Sequence, residues 1–235
     1  MKFKFAVIAL AAAICSFAAC KKSSNTHVPI NYQLILRPDS TTGQDSYVAK
    51  LDNDPADGNT NLNAAHELCL ARWTQSWYHN DSATFRGYIR FDSLAKVPAK
   101  AAVTSAILYL YGEGTDSSAS FPFGDSYPGS SSDLNGGLIQ LVTGGTWDQK
   151  TINFNNAPAA TASGQDTIPP SNQAWNYNVA VDVTNLVKQQ IANPSTNYGF
   201  LLKLQVEQLY RAMEFATCEN SDSLERPKLV VSYSY

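Results

Sequence analysis

Polar and apolar residues alternate with a period of two in one stretch near the middle of the chain. That stretch is Arg86-Gly87-Tyr88-Ile89-Arg90-Phe91-Asp92. Successive side chains of a β-strand point to opposite faces, so the pattern predicts a strand with Ile89 and Phe91 in a core. Arg86, Tyr88 and Arg90 then form a row on the other face. At about 3.3 Å per residue, the two arginines of this row are ~13 Å apart.

Similar strand-like segments, separated by Gly, Pro, Asn, Asp and Ser, recur along the chain. Val103 to Tyr111 alternates cleanly, and Thr151 to Phe154 is predicted to be a short strand. One helix is predicted, with Thr184 as its N-cap and a stop at Asn193-Pro194. The Gly-, Ser- and Pro-rich segment from Ala159 to Gln173 is predicted to be a loop. Many strands with a single short helix indicate an all-β fold, a two-sheet antiparallel β-sandwich.

Composition and charge narrow the class of partner. The 235-residue chain carries 17 basic and 20 acidic residues, which gives a formal net charge of -3. A general nucleic-acid binder needs a concentrated basic surface, so we expect no nucleic-acid partner. Hydrophobic residues make up 44% of the chain, as in an ordinary folded protein. No internal repeat or linker divides residues 30–235, which are predicted to form one domain.

The amino-terminal residues have the pattern of an export signal. A short cationic start precedes an apolar run that is too short for a typical membrane span, and small residues precede Cys20. The residues up to Cys20 resemble a bacterial lipobox, in which the cysteine is lipidated and becomes the first mature residue. We therefore expect a lipoprotein signal peptide over residues 1–19 and a lipidated cysteine with a polar tether over residues 20–29.

This expectation places the protein in the cell envelope. Two or three acyl chains on Cys20 would anchor it stably to a membrane, at either the periplasmic face or the outer surface. Plain secretion without a lipid is the alternative.

Two cysteines remain in the predicted domain, Cys69 and Cys218. Exported proteins enter compartments that permit disulfides. Each cysteine alternates with large apolar neighbours and so falls on the strand face opposite to them, which suits a cross-strand disulfide. Two unpaired buried thiols are the alternative.

Motifs of hydrolytic chemistry are missing from the sequence. It has no Gly-x-Ser-x-Gly element for a serine nucleophile, and His27, His66 and His79 do not have the spacing of a zinc site. Carboxylates such as Glu207 and Glu219 cannot be paired into a glycosidase dyad from the sequence. We expect no enzymatic activity.

One oxygen-rich loop has the composition of a calcium site. It contains Asp52, Asp54 and Asp57. The loop does not have the EF-hand pattern, because its Gly is one place late and Asn63 stands where a bidentate Glu is needed. Polar turns of this kind usually bind no metal, so we expect no cofactor, with structural calcium at this loop as the alternative.

The order of several short motifs resembles a known family, the DNRLRE domain, which is related to disaggregatase repeats and to alginate-binding carbohydrate modules. The resemblance covers nearly all of residues 30–235. It rests on the central stretch at 86–92, Val103-Thr104-Ser105-Ala106, Leu108-Tyr109-Leu110-Tyr111, Trp147-Asp148, Asn155-Asn156-Ala157-Pro158, Val181-Asp182-Val183-Thr184, Asn197-Tyr198-Gly199-Phe200-Leu201-Leu202 and Arg226-Pro227-Lys228-Leu229.

The resemblance implies a non-catalytic β-sandwich of jelly-roll type on a bacterial cell-surface or secreted protein. Such domains are often joined to polysaccharide-degrading enzymes, which would be possible partners. No such enzyme is joined in this sequence, so we expect a module that tethers, senses or captures a glycan.

Basic and aromatic side chains around the central strand suit an acidic polysaccharide such as alginate. Arginine forks hold carboxylates, and aromatic rings lie on sugar faces. The predicted ligand-binding residues are Arg72, Trp77, Tyr78, Arg86, Tyr88 and Arg90, together with Lys203 if its strand neighbours this sheet. The alternative is a structural or adhesive surface domain, in which the same arginines are paired with carboxylates of the protein. Trp147 and Trp175 are expected in the core.

Overall fold

The computed structural model describes residues 28–39, 41–54, 56–63, 67–75, 81–112, 135–173 and 176–235. Strands dominate these residues. They are β1 (Asn31–Leu36), β2 (Gly43–Leu51), β3 (Glu67–Gln75), β4 (Asp81–Phe91), β5 (Ala102–Leu110), β6 (Gly137–Val142), β7 (Ala160–Ile168), β8 (Val179–Asp182), β9 (Phe200–Leu204), β10 (Arg211–Ala216) and β11 (Lys228–Ser234). One α-helix, α1 (Thr184–Ala192), lies between β8 and β9.

Strand β4 lies at the centre of the larger of two antiparallel sheets. The smaller sheet has the order β1-β11-β5-β8, and the larger has the order β10-β3-β4-β9-β6-β7 with β2 also paired to β4. Residue 85 pairs with both β2 and β3, and residue 87 pairs with both β2 and β9. Strands β3 and β9 therefore share one edge of β4, and β2 covers the other. The all-β, two-sheet antiparallel prediction is confirmed.

The main hydrophobic core contains residues from both sheets. Ile89 and Phe91 of β4 are buried in it together with Leu108 of β5 and Leu229 of β11. This confirms the faces assigned from the alternation of β4. Three apolar side chains of α1 also belong to this core, so the helix is held by one apolar side.

Three local predictions are wrong. The predicted loop at 159–173 contains β7, an edge strand whose side chains are mostly exposed and whose backbone pairs with β6. The pattern misses it because an edge strand with two solvated faces needs few apolar residues. The predicted strand at 151–154 is a set of turns. Thr184 is the first residue of α1 and not its N-cap, because its Oγ1 accepts a hydrogen bond from the N–H of Ala106 at 2.8 Å.

Of the two possibilities for the cysteines, the disulfide is not formed: Cys69 and Cys218 are both buried free thiols. Cys69 pairs in register with Glu214, four residues before Cys218, and the chain has left β10 by then. A disulfide needs Cα atoms within about 7 Å, which this register does not provide. The alternative of two unpaired buried thiols is the one the structure shows.

Residues 1–27, including Cys20, lie outside the described residues. In the part of the chain that the structure describes, no helix has the length and apolar character needed to cross a membrane.

Candidate functional site

The face of β4 that carries Arg86, Tyr88 and Arg90 is largely covered. The β6–β7 connection (residues 143–159) folds back over it, and Trp147 and Ile152 of this connection pack in one apolar cluster with Tyr88. The row predicted from the sequence is therefore not an open strip. A cavity of about 310 Å³ remains between the connection and the sheet. Its lining consists of Val48, Arg86, Tyr88, Gln140, Phe154, Ala157, Pro158, Ala159, Ala160, Leu201 and Lys203.

Arg86 lies in the wall of this cavity and is held by Glu207. Its Nε and Nη2 donate to the two carboxylate oxygens of Glu207 at 2.7 and 2.9 Å. Both side chains are partly buried, at 30% and 24% exposure. Its guanidinium carbon also lies 5.3 Å from the ring centroid of Phe154, a cation–π distance. Arg86 thus combines a bidentate ion pair with an aromatic contact.

The pair perturbs the titration of both partners. The hydrogen bond to Glu207 raises the pKa of Arg86. Burial acts to raise the pKa of Glu207, but the hydrogen bond and charge of Arg86, with smaller contributions from Lys203 and Arg72, lower it overall. Glu207 therefore remains ionised at neutral pH and occupies the fork that a ligand carboxylate would use.

Lys203 is a second cation of the cavity. Its strand, β9, neighbours β4, which is the condition under which Lys203 was expected to join the site. It projects from β9, whose residues 200–202 pair with residues 87–89 of β4. Among the described residues, Lys203 forms no ion pair. Counting Arg86 and Lys203 against Glu207, the cavity carries one net positive charge. Gln140 adds a polar group, and its Nε2 donates to Gln165 Oε1 at 2.6 Å.

Tyr88 is buried with only 4% of its surface exposed. Its ring meets Trp147 edge-on, with centroids 5.8 Å apart, and its hydroxyl donates to the carbonyl of Pro158 at 3.1 Å. Burial raises the pKa of Tyr88 to about 12. With so little of its surface exposed, Tyr88 lines the cavity but offers little ring area for the expected stacking on a sugar. This residue instead holds the β6–β7 connection against the sheet.

Arg90 lies outside the cavity lining and also holds the connection. Its Nε donates to Asp92 at 2.6 Å and its Nη1 donates to the carbonyl of Trp147 at 2.9 Å. The guanidinium carbon is 5.5 Å from the Trp147 ring centroid. Trp147 itself is 7% exposed, which confirms its expected place in a core. The neighbours of Arg90 favour a structural role.

Arg72 pairs in register with Thr84, one alternation from Arg86, so it lies on the same sheet face. It forms a bidentate ion pair with Asp52, and its Nη1 also donates to Thr84 Oγ1 at 3.1 Å. Arg72 is not part of the cavity lining. Trp77 and Tyr78, the aromatic residues predicted beside it, and Trp175 lie outside the described residues.

The three carboxylates of the predicted calcium loop are not gathered around one point. Asp52 binds Arg72, Asp54 accepts the N–H of Ala56 at 3.0 Å, and Asp57 begins a 3₁₀ turn. Among the described residues, the one group of three close ligand-type side chains lies elsewhere, at Asp45, Cys218 and Glu219.

Four residues of the site were not predicted from the sequence: Phe154, Pro158, Gln140 and, in this role, Glu207. Phe154 and Pro158 belong to the β6–β7 connection, which returns to the sheet only through tertiary packing. The motif Asn155-Asn156-Ala157-Pro158 was a visible signal, since it is one of the pieces shared with the resembled family. Glu207 is far from Arg86 in sequence, and no local pattern joins the two.

Comparison with known proteins adds a family match. The family model described as carbohydrate-binding module family 96 matches residues 38–233, which is more than half of the chain. This match supports the carbohydrate-binding kinship implied by the resemblance. The curated proteins compared with the chain include no match.

Proposed function

Since the chain belongs to carbohydrate-binding module family 96, we propose that it is a non-catalytic binding protein for an acidic polysaccharide such as alginate. The proposed site is the cavity beneath the β6–β7 connection. We also propose that the lipidated Cys20 anchors the protein in the cell envelope, where it captures glycan or holds it for polysaccharide-degrading enzymes.

The observation that carries the acidic preference is Lys203. It contributes a positive charge to the cavity without an ion-pair partner among the described residues, beside the guanidinium of Arg86. A carboxylate entering this cavity meets two cations and one anion. A neutral sugar gains nothing from that charge, so the cavity favours an anionic ligand.

The size of the cavity limits what it can enclose. Ligand cavities commonly measure roughly 300–1,000 Å³, and this one lies at the low end. We infer that it receives one residue or one chain end of the polysaccharide, while the rest of the chain stays outside. Phe154 is the aromatic residue in the lining whose ring already contacts Arg86.

The proposal is tested by affinity electrophoresis in gels that contain alginate, pectin or a neutral glucan. We expect retardation in the two acidic gels, and less of it as salt is added, because exposed charges are screened over about 10 Å at 0.1 M. Lys203→Gln should weaken alginate binding about tenfold, the equivalent of ~1.4 kcal/mol.

The matched control is Lys100→Gln, which removes an exposed lysine outside the cavity lining. Binding that is lost equally in both variants would reflect net charge alone. Equal retardation in acidic and neutral gels would contradict the acidic preference, and retardation in none of them would contradict glycan binding.

A structural or adhesive domain is the second candidate, and one observation favours it. Arg72, Arg86 and Arg90 are each paired with a carboxylate of the protein. If these pairs serve stability alone, Arg86→Ala lowers the free energy of unfolding and leaves every glycan-binding property unchanged.

A further inference from the structure

Three ligand-type side chains outside the proposed glycan cavity converge just after β10. Asp45 comes from β2, and Cys218 and Glu219 follow β10. One ligand atom from each lies within 4.8 Å of the other two. Cys218 Sγ is 3.4 Å from Asp45 Oδ1 and 3.2 Å from Glu219 Oε2. Asp45 and Cys218 are each 1% exposed, whereas Glu219 is partly exposed, so the cluster is buried with one side toward the surface.

Asp45 Oδ2 accepts the N–H of Cys218 at 2.7 Å, but no basic side chain among the described residues compensates the charge of this cluster. The ion pairs found among the described residues involve other carboxylates, Asp52, Glu207 and Asp92. Two carboxylates close together at a largely buried site are costly if both are charged, unless they share a proton, pair with a cation or bind a metal. The cluster therefore requires either a shared proton or a bound cation.

Gln149 provides an independent observation that favours a cation. Its side chain reaches the cluster, because Nε2 donates to Glu219 Oε1 at 3.1 Å. The residue is only 9% exposed, and its Oε1 is sealed from solvent with no hydrogen-bond partner in the described part of the chain. An unpartnered buried amide oxygen is costly, and turning the amide by 180° exchanges Nε2 and Oε1, which directs this oxygen at the cluster, where a metal ion would satisfy it.

The donor set selects zinc over calcium. Calcium takes six to eight oxygen ligands, and this cluster offers three oxygen-bearing side chains and a sulfur. Zinc accepts thiolate and carboxylate ligands together in a tetrahedral site. With Zn–S of about 2.3 Å and Zn–O of about 2.0 Å, a tetrahedral arrangement separates sulfur from oxygen by roughly 3.5 Å. The observed separations of 3.4 and 3.2 Å lie close to that value.

We propose that Asp45, Cys218, Glu219 and Gln149 form a structural zinc site. The ligands are one oxygen of each carboxylate, the sulfur of Cys218 and, once its amide is turned by 180°, the carbonyl oxygen of Gln149. Binding converts the thiol to a thiolate and displaces the proton that the two carboxyl groups share in the metal-free protein, and both protons pass to solvent. The metal fastens β2, the turn after β10 and the β6–β7 connection to one another. It therefore stabilises the connection that covers the outer face of the larger sheet.

The test uses the full chain, stripped of metal with a chelator and kept reduced. We expect one Zn²⁺ to bind per chain in a competition titration and to raise the melting temperature. Cys218→Ser and Glu219→Gln should each weaken zinc binding by at least ~10-fold. The matched control is Cys69→Ser, which removes the other buried free thiol and should keep the zinc affinity of the parent protein.

Cobalt(II) supplies a readout that does not depend on a folded variant. If Cys218 is a ligand, Co²⁺ bound to the parent protein shows a thiolate-to-cobalt charge-transfer band, and zinc abolishes that band. Absence of the band would overturn the proposal, as would zinc binding that is unchanged in Cys218→Ser. Stabilisation by calcium but not by zinc would also overturn it. Failure of both metals to bind would likewise overturn it, and Asp45 and Glu219 would then share a proton in place of a cation.

Discussion

Glu207→Gln separates the two roles that Arg86 has in the structure. The substitution keeps the size of the side chain but removes the negative charge that occupies both donors of Arg86. We expect the free energy of unfolding to fall, because a partly buried bidentate ion pair becomes a weaker neutral contact. We expect alginate binding to strengthen, because the guanidinium becomes available and a repelling carboxylate disappears.

The magnitudes follow from the geometry. Surface pairs contribute about 0–1 kcal/mol, and breaking a fully buried pair costs about 3–5 kcal/mol. At 30% and 24% exposure this pair lies between those limits, so we expect a loss of ~1–2 kcal/mol. A ligand carboxylate on Arg86 would lie about 6 Å from Glu207, where two unit charges repel by roughly 0.7 to 3 kcal/mol for dielectric constants between about 80 and 20. A middle value of ~1.4 kcal/mol is a tenfold gain in affinity.

Two assays measure these opposite changes. Urea unfolding gives the loss of stability, and calorimetric titration with alginate oligosaccharides at low and moderate salt gives the gain in affinity. Asp92→Asn is the matched control, because it makes the same change in net charge at the partner of Arg90, outside the cavity lining. An equal gain in Asp92→Asn would show a general charge effect. If Glu207→Gln lost stability and gained no affinity, Arg86 would have no part in binding and the structural role would remain.

Three further predictions concern acid stability, packing and anchoring. The pKa values of Glu207 and Asp52 are lowered in the folded state, so the stability from their ion pairs is present above the unfolded-state pKa and is lost as pH falls below about 4. Urea unfolding from pH 7 to pH 3 should show this loss of stability, and the loss should be smaller in Glu207→Gln. Gly87→Ala should lower the free energy of unfolding by about 1–3 kcal/mol in chemical denaturation, because the new Cβ would come 2.8 Å from Leu68 Cγ. Gly136→Ala serves as the control, because its new Cβ meets only ordinary contacts. Cys20→Ser should shift the protein from the detergent-rich to the aqueous phase in a partition assay, and unchanged partition would contradict the lipid anchor.

Local alternation of polar and apolar residues was sufficient to predict the central strand and the side of it that is buried. Ile89 and Phe91 could be assigned to the core because a strand turns every second side chain to the same face, whatever its neighbours are. Lys203 of β9 could also be assigned to the face opposite the core, since it alternates with Leu202 and Leu204. Its place in the site depended on whether β9 lies beside β4. Helix α1 was found from its apolar spacing and its stop at Asn193, although its first residue was misjudged because the hydroxyl of Thr184 bonds to Ala106 of a distant strand.

The partners of the polar face could not be predicted in the same way. The carboxylate of Glu207 reaches Arg86 from 121 positions away. Trp147 covers Tyr88 from the β6–β7 connection, and no period of two or of 3.6 residues relates such distant positions. The sequence therefore indicated an open basic and aromatic row where the structure has a covered face with a cavity.

The sequence by itself determined the fold class, the strand at the centre and the side of that strand that is buried, because hydrophobic burial acts on each segment through its own periodicity. The tertiary structure alone decided which charges are neutralised, which aromatic faces are covered, and that two cysteines on neighbouring segments stay apart. Those properties depend on distances between residues that are remote in the chain, and the register of β3 with β10 and the path of the β6–β7 connection set these distances.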